Sequence, residues 1–431
     1  MQDRRVFFKT GVAAALSIGS HRILGANDRV NMGIIGLGGR GTYHVGAYSR
    51  LPEANIVALC DVNQAARERA SATVVKAGAP KPAEFEDMRK LFEDKTVEAV
   101  SMATPNHWHS LGTIWACQAG KDVYCEKPAS HNIFEGRKMV EAARKYQRMV
   151  QIGSQNRSVP GIIKGVQLLK EGVIGKVYLA KGLCYKRRKS IGRTPPEPVP
   201  AGVNWDLFLG PAPMREFTMN RFRYNWHWFW DTGNGDIGNQ GIHEMDKACW
   251  GLDVGLPTMV SSMGGKYVYE DDQETPNTQI ATFDYGDKEL MFEVRGIITG
   301  GESGADARGG NTVSNLFFGA DGYMVLENGG FKVYKGEQRE LVMEEKPTRG
   351  DAPEHMQNFL AAVKSRKHTD LNADVEVGAR SMALVHMANI SYRLKRALKF
   401  DPATWSFPGD AEANRLATRV YRKPYIVPDK V

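Results

Sequence analysis

The stretch Val30-Asn-Met-Gly-Ile-Ile-Gly-Leu-Gly-Gly-Arg-Gly41 predicts the fold of the first part of this chain. Val30 to Ile35 is a short apolar run, and the glycines that follow match the pattern G-x-G-x-x-G. In that pattern the glycines permit a tight bend between a strand and a helix, and they let a pyrophosphate approach the helix N-terminus. Thr42 to Arg50 continue with a helical pattern. The stretch therefore predicts a dinucleotide-binding turn.

An acidic residue follows the next apolar segment. Ile56 to Cys60 end at Asp61, about twenty residues after the glycine turn. A carboxylate there accepts hydrogen bonds from both ribose hydroxyls and repels a 2′-phosphate, so NAD is favoured over NADP. Arg40 could offset that repulsion. The simpler alternative is that Asp61 only caps the helix that begins near Asn63.

Apolar strand segments and helical segments continue to alternate, which predicts right-handed crossovers and a parallel sheet. The further segments are Val97 to Ala103, Trp108 to Ala119, Val123 to Cys125, Phe134 to Tyr146 and Met149 to Ile152. Ligands of such sheets bind beyond the carboxyl ends of the strands. Thr104-Pro105-Asn106 and Glu126-Lys127-Pro128 both lie there, as the glycine turn does, so these three loops predict one site.

Length and composition narrow the class of protein. With 431 residues, two folded domains are expected. The net charge is +8, but the basic residues are scattered, acidic residues number 49, and no nucleic-acid-binding signature is present. We therefore expect no nucleic-acid partner. The 5 cysteines are not closely paired, which argues against a metal site, and no stretch in the body of the chain is long enough for a membrane span.

The N-terminus has a separate pattern. Asp3-Arg-Arg-Val-Phe-Phe-Lys9 precedes an apolar run from Gly11 to Ile18, and Leu24-Gly25-Ala26 is the nearest candidate cleavage site. This arrangement resembles a twin-arginine export signal, although an ordinary amphipathic helix is the alternative. We expect residues 1–29 to be signal and linker, and the protein to be periplasmic or otherwise extracytoplasmic. If the signal interpretation is wrong, it is cytoplasmic.

Several longer motifs resemble the Gfo/Idh/MocA family, the glucose–fructose oxidoreductases, inositol dehydrogenases and their relatives. The motifs are Ala103-Thr-Pro-Asn-His-Trp-His109, Ala119-Gly-Lys-Asp-Val-Tyr-Cys-Glu-Lys-Pro128, Gly172-Val-Ile-Gly-Lys-Val177 and Gly241-Ile-His-Glu-Met-Asp-Lys-Ala-Cys-Trp250. The resemblance implies an α/β protein with a Rossmann domain at 30–152. A second α/β domain at 153–431 would hold an open, mostly antiparallel sheet. Its outer face commonly makes the oligomer contact, so a homo-oligomer, either a dimer or a tetramer, is expected.

The sequence supports this second sheet independently. Five segments are rich in β-forming residues and are separated by turn residues. They are Val177 to Lys186, Met259 to Val268, Gln279 to Tyr285, Glu289 to Arg295 and Leu316 to Leu326. Tyr285-Gly286-Asp287-Lys288 separates two of them, as the turn of a hairpin would.

The resemblance also assigns the site. Lys127 and His243 would flank the substrate carbon that faces the nicotinamide, where histidine suits proton removal and a lysine stabilises a developing alkoxide. Asn239 stands where relatives carry an aspartate, and an amide orients a hydroxyl but cannot act as a base. Asp236 is a possible substitute, and Asp246 is interpreted as structural. The candidate cofactor residues are Gly36, Gly38, Gly39, Arg40, Gly41, Asp61, Thr104, Asn106, His109, Glu126 and Lys127, and the candidate substrate residues are Lys127, Asn239, His243, Trp228 and Arg157.

Two segments bear on the substrate. Asn225-Trp-His-Trp-Phe-Trp-Asp231 could present an indole face to a sugar ring, or its tryptophans could fill the core of a buried strand. Lys186-Arg-Arg-Lys189 and Arg193 could close over an acidic substrate, but a solvated basic loop is the preferred interpretation.

Three functions remain open at this point. The first is an NAD-dependent oxidoreductase acting on a secondary hydroxyl of a sugar or glycoside, with NAD tightly bound because free NAD is scarce outside the cytoplasm. The second is an NAD-dependent glycoside hydrolase acting by transient oxidation and elimination. The third is a non-catalytic NAD and sugar sensor, which the presence of both Lys127 and His243 disfavours.

Overall fold

The computed structural model describes residues 29–302, 304–305, 311–327, 329–347 and 353–431. The candidate export signal therefore lies outside the described residues, apart from residue 29 at its end. No helix in the described part of the chain is long and apolar enough to cross a membrane.

A six-stranded parallel sheet forms the first domain, as predicted. Its strands are β1 Val30–Ile35, β2 Ala54–Cys60, β3 Ala83–Phe85, β4 Ala99–Met102, β5 Asp122–Cys125 and β6 Val150–Ile152, in the order β3-β2-β1-β4-β5-β6. The connecting helices are α1 Gly39–Tyr48, α2 Gln64–Lys76, α3 Met88–Glu93, α4 Asn106–Gln118 and α5 Ile133–Lys145. This is the strand order of a Rossmann fold. The short β3 and α3 were not predicted, because neither has enough residues for a periodic pattern.

The second domain contains a nine-stranded sheet in which only the β7–β10 pair is parallel. Its strands are β7 Val177–Tyr185, β8 Met259–Gly265, β9 Thr278–Asp284, β10 Glu289–Arg295, β11 Thr312–Gly319, β12 Gly322–Glu327, β13 Gly330–Lys335, β14 Glu340–Glu345 and β15 Leu398–Lys399. The hairpin at Tyr285 to Lys288 is confirmed, since it joins β9 to β10. The β-rich segment predicted at Leu316 to Leu326 is confirmed as β structure, but it spans parts of two strands, β11 and β12, which form a hairpin.

Helices complete the second domain. They are α6 Pro160–Lys170, α7 Trp205–Leu209, α8 Met219–Phe222, α9 Gly235–Asn239, α10 Gly241–Leu252, α11 Pro353–Ser365, α12 Val375–Leu394 and α13 Ala411–Leu416. Three 3₁₀ helices are Gln155–Ser158, Tyr224–Trp228 and His368–Asp370. The aromatic run at 225–231 therefore begins in a 3₁₀ helix and not in a buried strand.

The inner face of the nine-stranded sheet is packed by helices, whereas its outer face is covered only in part, around β7, β11 and β12. On its inner face, side chains such as Phe283, Phe292 and Phe317 are fully buried in the core that α10 and α12 share. On the outer face Tyr178, Met263 and Ile280 are 51%, 78% and 47% exposed. An apolar face of this kind agrees with the expected oligomer contact, which stays a prediction.

Helix α11, which follows the second sheet in sequence, ties the two domains together, because it packs Phe359 and Leu360 into the core formed around β1 and β2. A buried ion pair stabilises the second domain itself: Arg157, just after β6, donates to both carboxylate oxygens of Asp246 on α10 at 2.8 and 3.0 Å. Ser381 on α12 donates to the same carboxylate at 2.7 Å. The structural interpretation of Asp246 agrees with these contacts.

Removing this carboxylate should weaken the whole structure. Asp246 is 2% exposed at its side chain and Arg157 is 11% exposed, so Asp246→Ala leaves a buried cation without its partner. We expect the free energy of unfolding, measured with a chemical denaturant, to fall by about 3 kcal/mol. Glu93→Ala, which breaks the exposed pair with Lys90, should change it by less than about 1 kcal/mol. Equal effects of the two substitutions would contradict the structural role of Asp246.

Candidate active site

A cavity of about 820 Å³ lies between the carboxyl end of the first sheet and the second domain. Its walls come from the glycine turn, the loops after β2, β3, β4 and β5, and the segment from Lys186 to Gln240. The lining residues used below are Gly36, Gly38, Gly39, Arg40, Asp61, Arg69, Glu86, Asp87, Thr104, Glu126, Lys127, Lys186, Arg188, Leu207, Phe208, Phe222, Arg223, Tyr224, Trp226 and Asn239. The three loops predicted to share a site therefore do so.

The glycine turn leaves a cradle at the start of α1. Gly36 has φ +80°, and a Cβ there would lie 2.7 Å from the backbone of Ala103, while one on Gly41 would lie 1.7 Å from the Gly36 carbonyl oxygen. At Gly38 and Gly39 a Cβ would meet nothing within 4 Å. No side chain caps the start of this ten-residue helix. Open space in front of free N–H groups fits the pyrophosphate of a dinucleotide.

Asp61 lies on the cavity wall and also orders the backbone. Its carboxylate accepts from the Leu37 N–H at 2.5 Å and from the Asn63 N–H at 2.8 Å. Burial raises the pKa of Asp61, which these two hydrogen bonds oppose. The cap of α2 is Asn63 itself, whose side chain accepts from the Ala65 N–H. The ribose role of Asp61 stays a prediction.

Of the three cofactor residues predicted after β4, only Thr104 lines the cavity. The Thr104 hydroxyl is buried beside the cavity without a hydrogen-bond partner among the described residues, which leaves it free for a ligand. Asn106 donates to Asn234 at 2.8 Å, and the two ring nitrogens of His109 lie 2.7 Å from the carbonyl oxygens of Pro128 and Thr104. Asn106 and His109 therefore lie behind the cavity wall, where His109 ties the β4 and β5 loops together.

Glu126 is the buried centre of an ion network. Arg40 donates to it at 2.7 Å, Gln155 at 2.9 Å, and a His44 ring nitrogen lies 3.0 Å away. Burial raises the pKa of Glu126, but Arg40, His44 and Lys127 hold it well below its usual range. The carboxylate is therefore ionised. Because the Arg40 guanidinium is paired with Glu126, it does not point towards the place beside Asp61 where a ribose 2′-phosphate would bind.

Lys127 reaches across to the second domain. Its ammonium donates to the carbonyl oxygen of Asn239 at 2.8 Å and lies 3.5 Å from the side-chain oxygen of the same residue. Burial lowers the pKa of Lys127 to about 8, although Glu126 opposes this shift. A lysine with such a pKa can both give and take a proton near neutral pH.

Asn239 is itself held by a side chain that the sequence argument missed. It donates to the Tyr224 hydroxyl at 2.8 Å, and Arg188 donates to that hydroxyl at 3.2 Å. Tyr224 immediately precedes the aromatic run at 225–231, and a tyrosine beside a pocket usually finds a polar partner. Asp236 cannot substitute for the missing aspartate, because Arg188 donates to both of its oxygens at 2.7 and 2.8 Å.

His243 occupies the first turn of α10, one turn after Asn239. Its side chain is half-buried, and its ring makes no hydrogen bond within the described residues. Burial, and next the charge of Lys127, hold the pKa of His243 well below its usual range. The ring is therefore neutral and close enough to interact with Lys127, while Lys127 is the stronger base.

Two predicted substrate residues, Arg157 and Trp228, do not line the cavity. Arg157 is bound to Asp246 and lies over the Trp250 ring at 4.7 Å, which is a structural contact away from the cavity wall. Trp228 is buried beneath Arg188, whereas its neighbour Trp226 lines the cavity. The preferred interpretation of the basic run as a solvated loop is wrong for Lys186 and Arg188, because both are half-buried and line the cavity.

The described residues contain no group of His, Cys, Asp and Glu side chains that could hold a metal ion. All five cysteines are buried free thiols.

Comparison with known proteins agrees with this geometry. The model of the oxidoreductase family with an NAD-binding Rossmann fold matches residues 30–154, and the model of its C-terminal α/β domain matches 168–265 and 320–427. The chain belongs to the Gfo/Idh/MocA family of oxidoreductases. The matches cover most of both domains.

Among curated relatives, an inositol 2-dehydrogenase of Rubrobacter xylanophilus is 31% identical over 160 residues, which is 37% of this chain and 44% of that protein. A glycosyl hydrolase family 109 protein of Saccharopolyspora erythraea is 30% identical over 162 residues, 36% of this chain and 35% of the relative. The chain thus aligns with less than half the length of these relatives. The solved WlbA dehydrogenase of Bordetella pertussis, in complex with NADH and UDP-GlcNAcA, has a TM-score of 0.66 at 19% identity and covers 86% of this chain and 99% of its own.

A carboxylate at position 239 should raise the pKa of Lys127. In Asn239→Asp the new charge would lie where the amide oxygen is now, 3.5 Å from the ammonium, and an opposite charge at that distance favours the protonated lysine. We expect the titration midpoint of ¹³C-dimethylated Lys127, followed by NMR, to rise from about 8 by about one unit. Asn225→Asp, in the same 3₁₀ helix as Tyr224, is the matched control. An unchanged midpoint in Asn239→Asp would disprove the contact.

Proposed function

We propose that this protein is an NAD-dependent oxidoreductase that transfers a hydride between a secondary hydroxyl of a sugar or glycoside and a nicotinamide held in the cavity. The observation that carries the proposal is the position of Lys127. Its ammonium lies at the carboxyl end of the Rossmann sheet, and Asn239 of the second domain holds it there at 2.8 Å. A group with a pKa of about 8 is thereby placed where cofactor and substrate would meet.

The residues present fit a dinucleotide. The cradle at Gly38 and Gly39 would hold the pyrophosphate, the Asp61 carboxylate would face the ribose, and the free Thr104 hydroxyl would contact the nicotinamide end. NAD is favoured over NADP because the Asp61 carboxylate would repel a 2′-phosphate and because Arg40 is bound to Glu126. The bound nicotinamide would supply the hydride acceptor.

The chain itself handles the proton. Oxidation of an alcohol releases a hydride and the hydroxyl proton, and the neutral Lys127 amine accepts that proton. Asn239, oriented by Tyr224, would position the hydroxyl by hydrogen bonding. The neutral His243 ring does not line the cavity itself, and as a neighbour of Lys127 it would be a second polar group on the substrate side. In the reverse direction protonated Lys127 returns the proton to the forming alkoxide.

Tight retention of the cofactor is part of the proposal. Residues 200–230, here termed the cover segment, lie over the first domain and line the cavity with Leu207, Phe208 and Phe222. Backbone hydrogen bonds of 2.9 Å run from Gln64 to Gly202 and from Asn204 to Val62. Trp108 donates to the Leu207 carbonyl oxygen at 2.9 Å. A cofactor beneath this segment would leave only after it opens, so NAD should co-purify with the protein.

A tightly bound cofactor would suit the proposed export in the folded state and action outside the cytoplasm as a homo-oligomer built on the open sheet face. Fractionation of cells producing the full chain tests the location: recovery only in the cytoplasm would rule out export. Light scattering of the purified protein tests the assembly, since a monomeric mass would exclude a stable oligomer.

A second candidate is the NAD-dependent glycoside hydrolase, which the similarity to glycosyl hydrolase family 109 proteins supports. Incubation with nitrophenyl glycosides separates the two functions. Release of nitrophenol without net NADH indicates hydrolysis, and NADH formation without release indicates a dehydrogenase.

The main test is a pH profile of single turnover with bound NAD and an oxidisable sugar. Below its pKa Lys127 is protonated and cannot accept the hydroxyl proton, so the rate of oxidation should rise with pH and level off above about 8. Lys127→Met should lower the rate by about 10²–10⁴-fold. His243→Ala should also lower it, and normal turnover would contradict a role for that ring.

Lys189→Met, which removes an exposed lysine outside the cavity, is the control for Lys127→Met and should keep the rate. A profile in Lys127→Met that matches the unmodified protein would assign the proton to another group. Binding of NAD with no reduction by any sugar would favour the sensor.

A further inference from the structure

The cations that line the cavity are not equally neutralised. Arg40 forms an ion pair with Glu126, and Arg188 forms one with the buried Asp236. Lys186 and Arg223 form no ion pair among the described residues, and neither does Arg69, which lies near Asp61 at the other end of the cavity. The lining carboxylates other than Glu126, namely Asp61, Glu86 and Asp87, lie on the loops after β2 and β3, at the end of the cavity expected to hold the adenosine. The end near Lys127 is therefore rich in positive charge.

Lys186 stands beside the reacting groups. Its ammonium donates to the side-chain oxygen of Gln240 at 2.7 Å, and Gln240 directly follows Asn239 at the start of α10. Gln240 is a neutral partner and takes one of the three ammonium donors, so two donors remain for a ligand. The charge of Lys186 is close enough to Lys127 to help lower its pKa.

Within the described ranges, Arg223 is the second cation without an ion pair that lines the cavity near Lys127. It lies in the cover segment, next to Tyr224, and its exposed guanidinium has no hydrogen-bond partner within the described part of the chain. Half-buried Lys186 and free Arg223 thus present unused donors to the same cavity. A neutral sugar gives such donors no charge to pair with, whereas a carboxylate or phosphate does.

We propose that the substrate carries an anionic group, a carboxylate or a phosphate, which Lys186 and Arg223 bind while its hydroxyl lies at Lys127. This inference rests on the proposed function and specifies its substrate class as an acidic sugar or a sugar phosphate. An anion bound there also offsets the repulsion between Lys127 and its cationic neighbours. Lys186 and Arg223 act in specificity, and the proton transfer remains with Lys127.

The experiment compares matched sugars that differ in one charged group. Glucosides, galactosides and mannosides are assayed with their uronate and 6-phosphate counterparts, and binding to the NAD-loaded protein is also measured by calorimetry. We expect at least one anionic form to bind about ten-fold or more tightly than its neutral partner, the effect of one charge-assisted hydrogen bond. The uronate and phosphate arms tell which anion is preferred.

Variants then locate the anion. Lys186→Gln and Arg223→Gln should each reduce the preference for the anionic ligand by about ten-fold, mainly through binding and KM, and leave NAD affinity unchanged. Lys189→Gln, which removes the exposed lysine of the same run, should keep the preference.

Three results would overturn the proposal: no anionic probe binds, neutral partners bind equally well, or both variants lose NAD affinity while the preference remains. The last result would assign the two cations to the cofactor pyrophosphate. Since calorimetry detects binding without turnover, an anion that binds but is never oxidised would refute the proposed function and leave the anion site standing.

Discussion

One hydrogen bond, from the Lys127 ammonium to the Asn239 carbonyl oxygen at 2.8 Å, joins the two halves of the candidate site. Lys127 lies in the loop after strand β5 of the first sheet, and Asn239 ends the short helix that leads into α10. A backbone acceptor cannot change its charge, so the contact holds the ammonium without fixing its protonation. Lys127 is therefore held in position by the fold and can still exchange a proton.

The electrostatics of the site are arranged around that lysine in two networks. On the first domain Arg40 and His44 hold Glu126 ionised next to it. On the second domain Arg188 binds Asp236 and also reaches the Tyr224 hydroxyl, which in turn accepts from Asn239. Each buried carboxylate has a cationic partner, as buried charges require. Burial can then lower the pKa of Lys127 without an adjacent free acid that would reverse the shift.

The cover segment shows how the second domain completes a site that the first could not form alone. Rossmann sheets bind dinucleotides in an open crevice at the carboxyl ends of their strands. Here Gly202 and Asn204 pair with the backbone after β2, while Leu207 is bound by Trp108 of α4. The crevice becomes a walled cavity, because the stretch from Lys186 to Gln240 adds aromatic and cationic side chains to those of the first domain. Retention of a cofactor is thus proposed for the cover segment, and selection of a substrate for its Arg223 together with Lys186.

The sequence by itself determined the parallel sheet, its glycine turn, the family and the candidate pair Lys127 and His243, because strand and helix periods, turn glycines and long motifs are local properties. Only the tertiary structure decided which side chains share the cavity. Arg157 and Trp228 are engaged in buried contacts, whereas Lys186 and Tyr224 line the wall. Those outcomes depend on pairings between residues far apart in the chain, such as Arg188 with Asp236, which no local pattern encodes.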